Sequence, residues 1–244
     1  MPSAHKAKGF GDWEFPLELD LPRDELGGMS LSQLGATPFE QLGKFKQAQS
    51  FPHGYSREYL TFYAPRDPGV HQVLLWTLLQ AKSSVAINMY GFDDPQLAAL
   101  LRYHVTNPRI MVTLTLDSSQ AAGLAEKPLL NELRNELPGN SIAVGRSEKG
   151  AISHDKLMVI DGLYLITGST NWSFGGETEQ DNQLTLTRDP IACAEARAVI
   201  DLDHDVMLKQ MAAKAAKAAA STRKPRATRM TQRASRPAPA TRSR

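Results

Sequence analysis

The chain has 244 residues, of which 41% are hydrophobic, enough to bury a core in about one or two domains. Its one cysteine, Cys193, excludes an intramolecular disulfide and a cysteine-rich zinc module, and suits a reducing compartment. No apolar run reaches the roughly 18–20 residues of a membrane span, and the first thirty residues hold no apolar signal region, so a soluble, cytoplasmic protein without stable membrane insertion is expected.

Residues 1–55 are rich in Gly, Pro and acids with weak periodicity. They read as a poorly structured extension lying on the body, with room for a short helix between Leu31 and Lys46. Residues 56–208 alternate strand-like and helix-like runs. Tyr59–Tyr63 reads as a strand, and Val70–Lys82 as an amphipathic helix with Val70, Val73, Leu74, Leu78 and Ala81 on one face. Ser84–Tyr90 follows as a strand, Asp94–Val105 as a helix opened by an Asp cap and Pro95, and Ile110–Leu116 as a strand. A helix is expected over Leu129–Leu137, a short strand over Ile142–Val144, and strands over 152–160 and 163–169. The strand Asn182–Thr187 leads into a helix from Ile191 to about Ala220. That order predicts an α/β sandwich, a mixed β-sheet flanked by helices.

The formal net charge of +2 conceals a division. Residues 1–208 carry all 26 acids and 17 bases, a net −9, whereas Lys209–Arg244 carries 11 bases and no acid. Residues 209–244 therefore form a basic Ala/Arg/Pro-rich tail. It reads as a helix extension through AAKAAKAAA, then a disordered stretch with almost nothing to bury. Such a tail suits the phosphate backbone of a nucleic acid, read without sequence preference.

The chemistry lies in Ser153–Asn171. Two β-rich runs flank Asp161-Gly162, a strong two-residue hairpin signal. A turn that tight pairs Ile160 with Leu163 and His154 with Ser169, which places His154, Lys156, Ser169 and Asn171 on one face. These residue types fit phosphodiester chemistry. A neutral imidazole can attack phosphorus and form a covalent phospho-histidine. Lys156 supplies positive charge near the phosphoryl oxygens, and Ser169 and Asn171 can donate hydrogen bonds to them. No metal and no cofactor are required. Asp161 stands seven residues from His154, roughly 23 Å along a straight strand at about 3.3 Å per residue, so a turn role explains it locally.

The pattern His154-x-Lys156-x4-Asp161-x6-Gly168-Ser169-x-Asn171 resembles the HKD motif of the phospholipase D superfamily, over about residues 58–208. Tyr63-Ala64-Pro65, Ala81–Val85 and Met89-Tyr90-Gly91-Phe92 look like the upstream half of its small bacterial endonucleases, a plan shared by mitochondrial cardiolipin hydrolase. The resemblance implies a phospholipase D-like sandwich with His154, Lys156 and Asp161 as catalytic motif residues, Ser169 and Asn171 as substrate-binding residues, and a dispensable metal. Members use two HKD motifs. His5-Lys6, His53, His71, His104 and His204 supply no second one, so a homodimer is expected, its two histidines acting as a coupled pair. Relatives usually carry a glutamate about ten residues beyond the asparagine to orient the histidine. Here Asp181 stands closest to that place, with Glu177 and Glu179 just before it.

The expected function is a metal-independent phosphodiesterase, a non-specific endonuclease acting on DNA or RNA through a phospho-histidine. The alternatives are a phospholipase D hydrolysing phospholipid head groups and a non-catalytic nucleic-acid-binding protein. Among the remaining features, Asp201, Asp203, His204 and Asp205 read as a solvated helix face with His204 partly packed. Trp172 reads equally as a stacking platform or as site-wall packing. Trp76 and Cys193 read as core.

Overall fold

A computed structural model describes residues 28–47, 58–120 and 139–222. The helix expected over 129–137 and the disordered part of the tail lie outside the described residues. The strands are β1 (Tyr59–Ala64), β2 (Ser84–Met89), β3 (Met111–Asp117), β4 (Ser141–Gly145), β5 (Lys156–Ile160), β6 (Tyr164–Gly168) and β7 (Asn182–Thr187). The helices are α1 (Leu31–Gly35), α2 (Val70–Leu79), α3 (Pro95–Thr106), α4 (Phe174–Thr178) and α5 (Pro190–Thr222), with a 3₁₀ helix over Phe39–Phe45. All seven strands share one sheet in the order β1-β7-β6-β5-β2-β3-β4. Strands β2, β3 and β4 run parallel, while β2–β5, β5–β6, β6–β7 and β1–β7 are antiparallel. No helix of the described residues is long and apolar enough to cross a membrane.

Side-chain alternation builds two layers on this sheet. Val85, Ile87 and Met89 of β2 join Val112, Leu114 and Leu116 of β3 under α2 and α3. On the opposite face Ala86, Val159 and Leu165 pack against Cys193 and Ile200 of α5. The first turn of α3 is held as expected, with the Asp94 carboxylate accepting from the Gln96 and Leu97 N–H groups.

Two sequence expectations change here. Helix α2 is not amphipathic: Val70 and every residue from Val73 to Leu79 are buried. Its outer side is covered by residues 28–47, which are not a loose extension over that range. Leu34, Phe39 and Leu42 are almost fully buried in the main core. The Trp76 indole N–H donates to the Thr37 carbonyl at 2.8 Å, and its ring meets Tyr164 edge-on at 5.2 Å. Burying three such apolar side chains contributes on the order of 5–9 kcal/mol, comparable with a domain's whole net stability. This segment therefore belongs to the folding unit.

The second change is in register. Asp161 (φ 53°) and Gly162 (φ 65°) make the tight turn, closed by the Leu163 N–H on the Ile160 carbonyl at 2.9 Å. Pairing then resumes one residue late, with Ile160 opposite Tyr164 and Met158 opposite Ile166. Leu163 is an extra residue, and a one-residue slip exchanges the faces of everything beyond it.

Candidate active site

His154 stands exposed just before β5, beside Tyr90 at the end of β2. The Tyr90 and His154 rings lie 4.6 Å apart between centroids, and the Lys156 ammonium sits 4.8 Å from the centre of the Tyr90 ring. Lys156 is 3% exposed and donates to the His154 carbonyl at 2.8 Å. Burial lowers its pKa from 10.5 to about 8, only partly offset by the Asp155 carboxylate. The cluster thus holds a buried cation beneath an accessible imidazole. Tyr90 belongs to it although sequence reasoning assigned it no role. The signal was its place at the end of a buried strand, but its partners are set by β2–β5 pairing, where Met89 faces Lys156.

The chain around His154 is fastened on both sides. The buried Asp117 carboxylate accepts from the Ser153 N–H at 2.7 Å, and the Tyr90 N–H donates to the Asp155 carbonyl at 3.0 Å. Asp155 points the other way, toward α5, where the Asn88 amide donates to Asp155 at 3.3 Å and to Asp203 at 2.8 Å. Burial and the neighbouring Asp155 charge raise the Asp203 pKa. Nearby, His204 is buried, with Nδ1 bonded to Thr115 and Nε2 to Ser141, each at 2.8 Å. The 201–205 run is thus a largely solvated helix face, Asp201 and Asp205 being exposed, with His204 packed inward as expected and Asp203 half-buried.

The slipped register changes how the remaining motif residues reach the site. Ser169 does not lie opposite His154. Its hydroxyl donates to the Asn182 side-chain amide oxygen Oδ1 and accepts from the Gln183 N–H, both at 3.0 Å, facing a cleft shared with Arg66 and Asp181. Asn171 packs against Gly91, the neighbour of Tyr90, and its amide oxygen is buried without a hydrogen-bond partner among the described residues. Gly168 ends β6 just before them, paired with Leu184 of β7. Its φ is 151°, and a Cβ there would lie 2.1 Å from the Gln183 carbonyl oxygen. Trp172 is fully buried and meets Phe92 edge-on at 5.3 Å, so it packs the wall and offers no stacking face.

Asp161 sits at the opposite end of β5 from Lys156. Its carboxylate accepts from the Lys82, Ser83 and Ser84 N–H groups and the Ser83 hydroxyl, at 2.7–2.9 Å. It fastens the loop between α2 and β2. Of the three acids weighed as orienting groups, Glu177 is committed elsewhere: it is buried and bonded to His71 Nδ1 at 2.7 Å. Glu179 and Asp181 are exposed.

Residues 74–203 match the family described as cardiolipin synthase, PLD-like domain. Mitochondrial cardiolipin hydrolase of Xenopus laevis is 28% identical over 128 residues, 52% of this chain and 57% of that protein. The chain thus spans a little over half the length of the curated relatives it matches. Among solved structures, Nuc, a phospholipase D family member from Salmonella typhimurium, superposes with TM-score 0.50 at 20% identity, covering 59% of this chain and 92% of Nuc. NucT from Helicobacter pylori gives TM-score 0.52 at 20% identity, covering 62% and 96%. At such identities these two establish the layered α/β fold.

Proposed function

The chain belongs to the PLD-like domain family, and on that premise we propose that it is a metal-independent phosphodiesterase that cleaves nucleic acid without sequence preference. The observation that carries this reading is the Tyr90–His154–Lys156 cluster, a reachable nucleophile over a buried cation. In the first step the His154 imidazole forms a bond to phosphorus, the P–O bond to the leaving group breaks, and the leaving oxygen takes a proton from a second imidazolium. In the second step that imidazole, now neutral, takes a proton from water. The resulting hydroxide displaces His154, so the P–N bond breaks and a P–O bond forms. Lys156 stabilises charge on the non-bridging oxygens throughout, and the Asn171 amide N–H groups are assigned to donate to them.

The chain carries one motif, so the second imidazole is assigned to a second copy, in a twofold dimer whose two histidines share the work. Sedimentation equilibrium should report a dimer at the concentrations where activity is measured. An active, strictly monomeric protein would sink the two-histidine scheme.

Nucleic acid is favoured over other phosphodiesters by the +11 stretch Lys209–Arg244, which offsets the −9 of the rest of the chain. The similarity to mitochondrial cardiolipin hydrolase favours a second reading, hydrolysis of a phospholipid head group by the same chemistry. A panel of plasmid DNA, RNA and anionic liposomes, run in EDTA, separates the two. Strand cleavage with intact lipid is expected, and His154→Ala should reduce it by at least about 10³-fold, the scale of losing a nucleophile. Head-group release without strand cleavage selects the lipid reading. Full cleavage by His154→Ala refutes the mechanism for either substrate.

A further inference from the structure

Three residues from three helical segments converge beside the cleft that Pro95 and Ser173 also line. His71 comes from α2, Asp94 from the cap of α3 and Glu177 from α4, and their ligand atoms all lie within 4.8 Å of one another. We infer that His71, Asp94 and Glu177 form a binding site for a divalent transition-metal ion, with Zn²⁺ as the best fit. The inference does not rest on the catalytic reading above.

Three observations carry it. First, His71 Nε2 lies 2.9 Å from the Gln96 side-chain oxygen, which can only accept, so Nε2 carries the hydrogen and Nδ1 is directed at the two carboxylates. An imidazole whose outer N–H is held this way is fixed in the tautomer and orientation a metal ligand needs. Second, His71 Nδ1 and Asp94 Oδ2 are 3.4 Å apart, about the edge of a tetrahedron with bonds of roughly 2.1 Å. Third, Glu177 is 4% exposed, yet its Oε1 has no hydrogen-bond partner among the described residues. A buried carboxylate oxygen left unpaired is costly, and a cation resolves that cost.

The Nδ1–Oε2 distance of 2.7 Å is that of a hydrogen bond, so Glu177 must withdraw by about 0.7 Å to admit an ion, and its unbonded Oε1 leaves that rotation open. Metal-free, the site holds a proton instead. Although burial opposes it, the Glu177 hydrogen bond and charge raise His71 to about 9, while burial pushes Glu177 up to about 7. One nitrogen and two carboxylates suit zinc better than calcium or magnesium, which take oxygen ligands only. Pro68, Gln72, Phe174 and Thr178 line the same cleft of about 640 Å³, which leaves a fourth position open to solvent or a small ligand.

The test uses full-length protein stripped with EDTA, dialysed, and titrated with ZnCl₂ by calorimetry. One Zn²⁺ per chain is expected. Glu177→Gln and Asp94→Asn should each weaken binding by at least 30-fold. Asparagine retains a cap oxygen for the Gln96 and Leu97 N–H groups, so Asp94→Asn keeps the fold even if Glu177→Gln does not. Zinc-edge X-ray absorption on the wild type should show nitrogen and oxygen neighbours with a single imidazole. Absence of binding at 100-fold excess metal, unchanged affinity in a folded variant, or a spectrum with sulfur or several imidazoles would each overturn the site.

Discussion

Replacing Lys156 by methionine is expected to remove turnover while raising the melting temperature, because one buried ammonium is costly to the fold and, in the proposed mechanism, necessary to the reaction. Lys156 is 3% exposed, and its surroundings lower its pKa from 10.5 to about 8. The desolvation is only partly repaid by the hydrogen bond to the His154 carbonyl and the face of the Tyr90 ring. Below pH 8 the folded protein therefore carries a penalty of about 3 kcal/mol that an uncharged chain of similar length avoids. Methionine fills the same volume without the charge, so a gain of roughly 1–3 kcal/mol, a rise of several degrees, should accompany a loss of activity of at least about 10³-fold.

The same shift gives the wild type a paired pH signature. Between about pH 8 and 10.5 the unfolded chain still binds the Lys156 proton and the folded chain does not, so this lysine's contribution to stability rises with pH across that window. Over the same window kcat/KM should fall, because the free enzyme loses the cation that the proposed mechanism sets against the phosphate. Stability and activity then move in opposite directions in one titration, and Lys156→Met should flatten the stability limb. A variant that melts lower than wild type, or one that keeps turnover, would contradict this account.

Much of the sheet was legible because its signals are local. The apolar runs at Ser84–Met89 and Met111–Asp117 have the length of buried strands, and Asp94-Pro95 marks a helix start by chemistry that acts within one turn. What failed depends on longer distances. The burial of α2 on every side requires residues 28–47 to cover it, and no periodicity within Val70–Leu79 records that. The extra residue at Leu163 is invisible in a sequence where Asp-Gly already explains the turn, yet it turns Ser169 from His154 toward Asn182 and Gln183. Five residues with two glycines were too weak a pattern to reveal α4. Its Glu177 meets a histidine 106 positions earlier, so that cluster is a product of the fold alone.

Asp161 matches by spacing the aspartate of the motif the sequence resembles, and its variants should nonetheless fail through stability and not through chemistry. Its carboxylate accepts four hydrogen bonds from Lys82–Ser84, and its backbone takes φ 53°, a conformation that Asp and Asn tolerate better than other side chains. Asp161→Ala removes the acceptor and strains the turn together. Hydrogen bonds to a charged acceptor are worth roughly 1.5–3 kcal/mol each when buried. Several of these donors are exposed and regain water, so a net loss of about 2–4 kcal/mol is expected, lowering the melting temperature by roughly 5–15 °C. Asp161→Asn keeps one acceptor oxygen and the tolerance for positive φ, so it should lose about half as much. At a temperature well below both midpoints, kcat for the two variants should stay within about threefold of wild type, because the site end of β5 is held separately by Asp117 and Tyr90. The converse result, an unchanged melting temperature with kcat reduced 100-fold, would make Asp161 a participant in the reaction.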